Sequence, residues 1–390
     1  MSRDKTMIRL VQLQSGSARR VARVDEPFLV LLAGTASVLD LVNEAIDTRV
    51  RLTTLVGERA SSERLEYDPV YAGSSPWRLL VPIDHPEPAR CMVSGTGLTH
   101  YGSAASRDAM HAHASGTERD ERVPQPGSHA RQPRMGPERG SRVGVREGVP
   151  ASEASMPGGR GSRITEESEL TDSMRMFRLG IEGGRPEHGK CGAAPEWFYK
   201  GNGTALRATG QVLPVPGYAE DGGEEAEVAG VYLIDREGRP MRIGMAAGNE
   251  FSDHQFEKRN YLNLAGSKLR YCALGPELVI GGDFDRVPGR VSIERHDRAV
   301  WQCDIVTGEQ AMCHSIANIE HHHFKFEAHR RPGDVHVHFY GADRLSFADG
   351  VQLEEGDVMI VQFDGFGRPL RNAVSMGARV NEPIQVLSIA

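Results

Sequence analysis

The chain has 390 residues, with 46 Lys and Arg against 53 Asp and Glu and a net charge of −7. This length allows a large catalytic domain and a smaller one, and the mild acidity gives no general attraction to nucleic acid or to anionic membranes. No apolar run approaches the roughly 20 residues that cross a bilayer, and the N-terminal MSRDKTMIRLVQL lacks the apolar region of a signal peptide. We therefore expect a cytoplasmic protein with neither nucleic-acid nor membrane partners.

The first 85 or so residues predict a small α+β domain. Short β-like runs cover Met7–Leu13, Ala22–Val24 and Phe28–Leu32, a helical pattern covers Ser37–Ile46, and the proline-rich VPIDHPEPAR follows as a linker. We expect residues 1–85 to form an N-terminal domain.

A long polar stretch comes next. From Gly102 to Arg163 the chain has no Ile, Leu or aromatic residue and is rich in Gly, Pro, Ser, Arg and Glu. Such a segment buries too little apolar surface to offset its conformational entropy. We therefore predict a disordered insertion at about residues 112–166, inside a catalytic domain of residues 86–376 that is followed by a C-terminal tail, residues 377–390.

The remainder of the chain is mostly β. Apolar runs such as EVAGVYLI, MRIGMAAG, DVHVHFYG and VMIVQF alternate with turns rich in Gly, Pro and Asp, and helices are predicted over Tyr261–Arg270 and Gly308–His322. The sequence has no G-x-G-x-x-G opening a helix, no P-loop and no G-x-S-x-G elbow. Nucleotide-cofactor and serine-hydrolase functions lose support accordingly.

The cysteines do not indicate a disulfide framework or a zinc knuckle. There are five of them, an odd number, with no C-x-x-C spacing, and we expect all to be reduced: Cys91, Cys191, Cys272, Cys303 and Cys313.

Three glutamates around one predicted hairpin are the main chemical signal. Glu225 and Glu227 are two residues apart on a strand and share a face, roughly 7 Å apart. A turn over residues 235–240 would place Glu250 opposite Glu225, with Cβ atoms roughly 5 Å apart. Carboxylates this close repel one another, and a hard cation such as Mg²⁺, Mn²⁺ or Ca²⁺ would compensate them. The alternative is a salt-bridge network without a metal.

Four segments in the second half resemble the fumarylacetoacetate hydrolase (FAH) superfamily, and more closely its branch of 2-keto-3-deoxy sugar-acid dehydratases. PEWFYKG is similar to the family's P-E-x-F-x-K and places Lys200 at its lysine. EEAEVAGVYLI is similar to the E-x-E-L strand, and GNEFSDHQFEKRN to G-N-D-x-S-x-R-D. LAGSKLRYCALGPEL is similar to the segment whose site lysine precedes G-P, here Lys268. The resemblance covers roughly residues 88–375.

The resemblance implies a mostly β, α+β fold, in which an FAH-like mixed β-sandwich roll or barrel carries the catalytic site, and it favours a homodimer. It also implies that Glu225, Glu227 and Glu250 bind the metal. The chain departs from the family pattern in three places: Glu250 replaces an aspartate, His254 stands where arginine is common, and HFYG at residues 338–341 replaces a T-G-T motif.

The resemblance also suggests roles for other side chains. Lys268 is the leading candidate to contact the substrate or act as the base, although the local sequence alone would indicate an ordinary surface lysine. The remaining candidates are catalytic residues, namely Lys200, His254 and His100 in a lid segment, and substrate-binding residues, namely Arg107, Asp108, His338 and Tyr340. A buried structural histidine is an equally good explanation of His338.

Another histidine pattern indicates a different metal site. His314, Asn318 and His321 or His322 fall on one face of a predicted helix and could hold zinc. No H-E-x-x-H spacing accompanies them, so an ordinary polar helix face is the better interpretation.

The function expected from these observations is dehydration of a 2-keto-3-deoxy sugar acid through a metal-stabilised enolate. The alternatives are a C–C hydrolase that releases pyruvate from a 2,4-diketo acid, and a protein that binds a 2-keto acid without turning it over.

Overall fold

A computed structural model of the chain describes residues 7–117, 170–379 and 382–389. The described residues up to Ala114 and from Thr171 onward belong to one compact unit. Most of the predicted insertion lies outside the described residues. Its first six positions, however, are helical, because a helix that begins at Tyr101 continues to Thr117.

The strands of the described residues fall into two sheets. In chain order they are β1 (Ile8–Ser15), β2 (Ala18–Asp25), β3 (Phe28–Leu32), β4 (Ala60–Glu66), β5 (Arg78–Leu79), β6 (Cys91–Gly95), β7 (Phe198–Asn202), β8 (Leu206–Arg207), β9 (Leu213–Val215), β10 (Ala226–Ile234), β11 (Pro240–Asn249), β12 (Cys272–Leu274), β13 (Leu278–Ile280), β14 (Val287–Arg295), β15 (Arg298–Thr307), β16 (Val335–Phe339), β17 (Val358–Phe363) and β18 (Leu370–Met376).

The helices of the described residues surround these sheets. They are α1 (Val38–Thr48), α2 (Leu52–Arg59), α3 (Tyr67–Tyr71), α4 (Tyr101–Thr117), α5 (Asp172–Gly183), α6 (His254–Arg259), α7 (Leu264–Ser267) and α8 (Ile316–Phe324). None of them is long and apolar enough to cross a membrane.

The larger sheet joins the N-terminal strands to the rest of the chain. Its main order is β4-β3-β2-β1-β13-β11-β10-β16-β6-β7, and β15-β14-β17-β18-β9 form the second sheet. Strand β1 pairs antiparallel with β13, so that Ile8 lies opposite Ile280. Strand β10 lies between β11 and β16 in the interior of the larger sheet. The mixed α+β architecture expected from the sequence is confirmed.

The hairpin of β10 and β11 follows from its sequence. All nine residues of β10 are buried, as a continuous apolar run in the middle of a sheet requires. The turn is closed by Asp235, whose Oδ1 accepts hydrogen bonds from the backbone N–H of Glu237 at 3.0 Å and of Arg239 at 2.7 Å. Gly238 has a φ of 77°, which favours glycine. Because the turn joins one end of the two strands, the start of β10 and the end of β11 lie side by side at the other end.

The predicted helices were right in one case and too long in two. Helix α1 begins after Ser37, whose side chain accepts a hydrogen bond from the N–H of Asp40 at 3.0 Å. Helix α8 begins only after Ser315, which caps it in the same way, because Gly308 has a φ of 105° and the residues between them form turns. The predicted helix at Tyr261–Arg270 is only a 3₁₀ turn followed by the four residues of α7.

Candidate active site

The open end of the hairpin brings three glutamates together. Glu225 directly precedes β10, Glu227 lies within it, and Glu250 directly follows β11. Ala226 pairs with Asn249, and the N–H of Glu250 donates to the carbonyl oxygen of Glu225 at 2.9 Å, which confirms the register predicted from the turn. One carboxylate oxygen from each glutamate lies within 4.8 Å of the others, and all three residues are buried.

Two buried lysines contact this triad of glutamates. Lys268 Nζ lies 2.6 Å from Glu250 Oε2, donates to Glu225 Oε1, and is 3.0 Å from Ser252 Oγ. Lys200 Nζ lies 2.6 Å from Glu250 Oε1 and also donates to the carbonyl oxygen of residue 251. Both lysines are at most 1% exposed, so the structure brings these two predicted residues into the site.

Glu227 has no cationic partner among the described residues. Its Oε2 accepts a hydrogen bond from the N–H of Gly341 at 2.7 Å, whereas its Oε1 is buried without a hydrogen-bond partner. Burial, together with the charges of Glu225 and Glu250, holds the pKa of Glu227 well above its usual value. An orphaned oxygen beside two more carboxylates is a donor set that fits a hard divalent cation.

Burial and neighbouring charges shift the pKa values of the other charged groups of the site in opposite directions. Burial works to raise the pKa of Glu225, but Lys268 and His254 outweigh it and hold that pKa well below its usual value. Burial works against the charge of Lys268, yet the two glutamates it contacts raise its pKa. For Lys200, burial prevails over Glu250 and lowers the pKa.

His254 forms one wall of the site. Its Nε2 lies 3.1 Å from Glu225 Oε1, and its ring lies 5.2 Å, between centroids, from that of Phe347. The 3₁₀ turn that carries Phe347 is held by Glu224, which accepts hydrogen bonds from the N–H and the hydroxyl of Ser346, both at 2.7 Å. Sequence reasoning missed this buried glutamate, because nothing distinguishes it from its neighbours in GGEEAE.

The backbone after Glu250 adopts an uncommon conformation. Phe251 has a φ of 29°, a region that non-glycine residues rarely occupy and that concentrates at functional sites. The side chain of Asn249 accepts from the N–H of Phe251 at 3.2 Å, and the N–H of Ser252 donates to Gly223 at 3.0 Å. This conformation directs the carbonyl oxygen of Phe251 toward Lys200.

Helix α4 brings the guanidinium of Arg107 within electrostatic reach of Glu225. The guanidinium donates to both oxygens of Glu196, at 2.7 and 2.9 Å, and its Nε lies 2.7 Å from Glu257 Oε1. Tyr261 donates to the same Glu196 at 3.0 Å. The two glutamates were not recognised in the sequence, although Glu196 belongs to the PEWFYKG segment. Arg107 is therefore engaged by protein carboxylates in this structure.

His100 is connected to the triad only indirectly, through Thr99 and the backbone of residues 340 and 341. Its Nδ1 is 2.8 Å from Thr99 Oγ1, its Nε2 is 3.1 Å from Thr307 Oγ1, and burial lowers its pKa to about 4. Thr99 Oγ1 also donates to the carbonyl oxygen of Tyr340 at 2.7 Å, and the following Gly341 contacts Glu227. His100 thus supports the backbone beside the triad rather than contacting a carboxylate.

Three predicted substrate-binding residues are not brought to the triad. Asp108 accepts a hydrogen bond from Thr171 at 2.7 Å and so joins α4 to the start of α5. His338 lies opposite Gly230, on the face of β10 away from Glu227, and its two ring nitrogens are 2.9 and 2.8 Å from hydroxyls of β6 and the residue after it.

Tyr340 is the third of these residues. It packs in the core on that same face with Val228, and its hydroxyl contacts the hydroxyl of Tyr232. The structure therefore gives both His338 and Tyr340 partners within the protein and brings neither side chain to the triad.

The alternative zinc site is not supported by the geometry of α8. His314 Nδ1 lies 3.1 Å from the amide of Asn318, and His322 Nε2 contacts the carbonyl oxygen of Gly192 at 3.0 Å. Over residues 7–117, 170–379 and 382–389, no other group of three His, Cys, Asp or Glu side chains brings its ligand atoms as close together as the three glutamates.

Comparison with solved structures finds the same fold in known enzymes. The chain is similar to 2-keto-3-deoxyarabinonate dehydratase, with 15% identity, a TM-score of 0.59, and coverage of 94% of this chain and 99% of the other. That dehydratase complexed with magnesium and 2,5-dioxopentanoate matches at 14% identity with the same TM-score and the same coverage of both chains. A fumarylacetoacetate hydrolase from psychrophilic Exiguobacterium antarcticum matches at 14% identity and a TM-score of 0.50, over 95% of this chain and 99% of that one.

No protein-family model and no curated protein matches the chain. The fold implied by the sequence motifs is confirmed by the solved structures.

Proposed function

We propose that this protein is a divalent-metal-dependent enzyme that dehydrates a 2-keto-3-deoxy sugar acid. The observation that carries the proposal is the buried triad of Glu225, Glu227 and Glu250, with an ammonium group at its edge and an orphaned carboxylate oxygen inside it. The fold shared with a magnesium-bound dehydratase supports the choice of ion and of reaction.

The proposed reaction removes a proton from C3 and a hydroxide from C4 of the substrate, and so forms a C3–C4 double bond and one water. The triad would hold Mg²⁺, with Mn²⁺ or Ca²⁺ as alternatives, and the bound ion would withdraw electrons from the keto group and acidify the C3 proton. Lys268, an ammonium fixed by two carboxylates, would hold an anionic oxygen of the substrate.

The remaining residues would position the substrate and exclude water. His254 lies against Glu225 under the ring of Phe347 and is the candidate for proton transfer on that side of the site. Arg107 would fix α4 beside the site through its two glutamates. Exclusion of water by this helix would strengthen each electrostatic contact within the site.

The leading alternative is a C–C hydrolase of a 2,4-diketo acid, which the shared fold of the Exiguobacterium hydrolase also accommodates. A binding protein without turnover is the third candidate. The deciding experiment incubates the protein with Mg²⁺ and panels of 2-keto-3-deoxy pentonates, hexonates and 2,4-diketo acids, and follows the products by mass spectrometry.

Each outcome of that experiment has a distinct meaning. Loss of one water from a sugar acid, abolished by EDTA and restored by Mg²⁺, supports the dehydratase. Release of pyruvate from a diketo acid would replace it with the hydrolase, and metal binding without any product would indicate the binding protein. Full activity of Glu225→Gln after EDTA treatment and return of Mg²⁺ would show that the triad is not the site.

A further inference from the structure

A cavity lies at the turn end of the β10–β11 hairpin, far from the triad. It has a volume of about 710 Å³ and is bounded by α1, the first turn of α2 and the turn end of the β10–β11 hairpin. The triad lies at the opposite end of the same hairpin, roughly 25 Å away along the nine residues of β10. Its volume falls within the roughly 300–1,000 Å³ of small-molecule sites, so the cavity is large enough for a ligand of its own.

The floor of this cavity is apolar. Aliphatic side chains from α1, from the segment joining it to α2, and from β11 converge there: Val42, Ile46, Val50, Leu52, Met241 and Ile243. Met241 remains 42% exposed although its neighbours pack into the core. Covering such a surface with an apolar ligand is favourable, because it removes apolar area from water.

Arginines form the rim of the cavity, and most of them are paired. Arg236 lies 2.7 Å from Asp47, Arg239 lies 2.6 Å from Asp235, and Arg242 is held 2.8 Å from a glutamate of α8.

The other two rim arginines, Arg49 and Arg51, follow α1 directly and also line the cavity. Within the part of the chain that the structure describes, neither guanidinium has a hydrogen-bond or ion-pair partner. Two uncompensated positive charges two residues apart therefore stand beside an apolar floor.

We propose that this cavity binds an amphipathic monocarboxylate, whose apolar body lies on the aliphatic floor while Arg49 and Arg51 hold its carboxylate. Guanidinium groups are suited to this role, because they form charge-assisted hydrogen bonds to carboxylates. A ligand with several negative charges fits less well, because Asp47, Asp235 and Glu237 line the remainder of the rim.

Calorimetric titration of the full chain with octanoate tests this proposal. Octanol and acetate are the comparison ligands, since each retains only one half of the amphipathic molecule. We expect saturable 1:1 binding of octanoate and at least about tenfold weaker binding of octanol and acetate. The double variant R49Q/R51Q should weaken octanoate by a similar factor, while R298Q/R331Q, which removes two exposed arginines elsewhere, should bind as the wild type does.

The proposal is overturned if octanoate does not bind saturably, or if R49Q/R51Q binds it as tightly as the control variant does. A shift of R49Q/R51Q from dimer to monomer in light scattering, without octanoate binding to the wild type, would identify the cavity as a contact between two chains. Thermal melting verifies that both double variants are folded. The result is independent of the dehydratase assay, because the probes and residues are not those of the triad.

Discussion

Lys268 Nζ lies 2.6 Å from Oε2 of Glu250, and the same ammonium donates to Glu225. Two of the three carboxylates that would bind a divalent cation are therefore already neutralised in part by a lysine. The ammonium makes the cluster stable without a metal, and it would compete with the ion for the same oxygens. The effect of a bound metal on the stability of the fold should therefore depend on whether Lys268 is present.

Replacing Lys268 with Met tests this coupling. Removing one partner of a buried ion pair costs about 3–5 kcal/mol, so the metal-free variant should melt well below the wild type. Mg²⁺ should then raise the melting temperature of the variant more than that of the wild type, because the ion compensates repulsion that the lysine otherwise relieves. Lys190→Met, at an exposed position, is the control. Equal Mg²⁺-induced shifts in Lys268→Met and the wild type would refute the coupling.

Glu225 and Glu227 should behave differently without metal although both would bind it. Glu227→Gln removes a buried carboxylate that has no cationic partner among the described residues, so the metal-free variant should melt no lower than the wild type. Glu225→Gln removes the partner of Lys268 and His254 and should melt lower. Calorimetry should show Mg²⁺ binding weakened by at least about tenfold in both variants. Wild-type Mg²⁺ affinity in Glu227→Gln would exclude it as a ligand.

The contact between Arg107 and its two glutamates predicts a large stability effect from one substitution. Arg107→Gln leaves Glu196 and Glu257 buried with only part of their hydrogen bonding, and we expect a loss of about 3 kcal/mol in the free energy of unfolding by urea. The control is Arg290→Gln, which breaks an exposed pair with Asp304 and should cost far less, because exposed ion pairs contribute little to stability. Equal losses in the two variants would show that Arg107 does not hold α4 in solution.

The triad could be predicted from the sequence because its geometry is local. Glu225 and Glu250 lie in one hairpin, whose register follows from the position of the turn and from the two-residue period of strands. The motifs also placed the two lysines correctly near these glutamates. No comparable rule connects Arg107 to Glu196, which is 89 residues later in the chain.

The face of the sheet that His338 occupies also depends on residues far apart in sequence. Which face of β16 its side chain occupies depends on how that strand pairs with β10 and β6. Those pairings join residues far apart in sequence, so the motif order alone could not show that Tyr340 and His338 face away from Glu227. Glu224 escaped notice for the same reason, because its partner Ser346 lies 122 residues away.

Histidines beneath α8 form a buried cluster that predicts acid sensitivity. Trp197 Nε1 donates to His323 Nδ1 at 3.1 Å, so neutral His323 carries its proton on Nε2, which lies 3.0 Å from His336 Nδ1. The ring of His338 lies 4.5 Å, between centroids, from that of His323. Burial lowers the pKa of His336 to about 3 and that of His338 to about 3, and burial together with the neighbouring histidines lowers the pKa of His323.

The sign of the pH dependence follows from these shifts. In the unfolded chain a histidine has a pKa near 6.5 and takes up a proton as the pH falls from 7 to 5, whereas these folded histidines remain neutral. The unfolded state therefore binds more protons, and each such histidine lowers the free energy of unfolding by about 2 kcal/mol between pH 7 and pH 5.

Urea unfolding should show a loss of several kcal/mol over this range. His338→Gln, which retains hydrogen-bonding capacity toward Ser94 and Thr96, should reduce the loss by about 2 kcal/mol, and the exposed His188→Gln should not. A pH dependence unchanged in His338→Gln would mean that this histidine is protonated in the folded protein at pH 5.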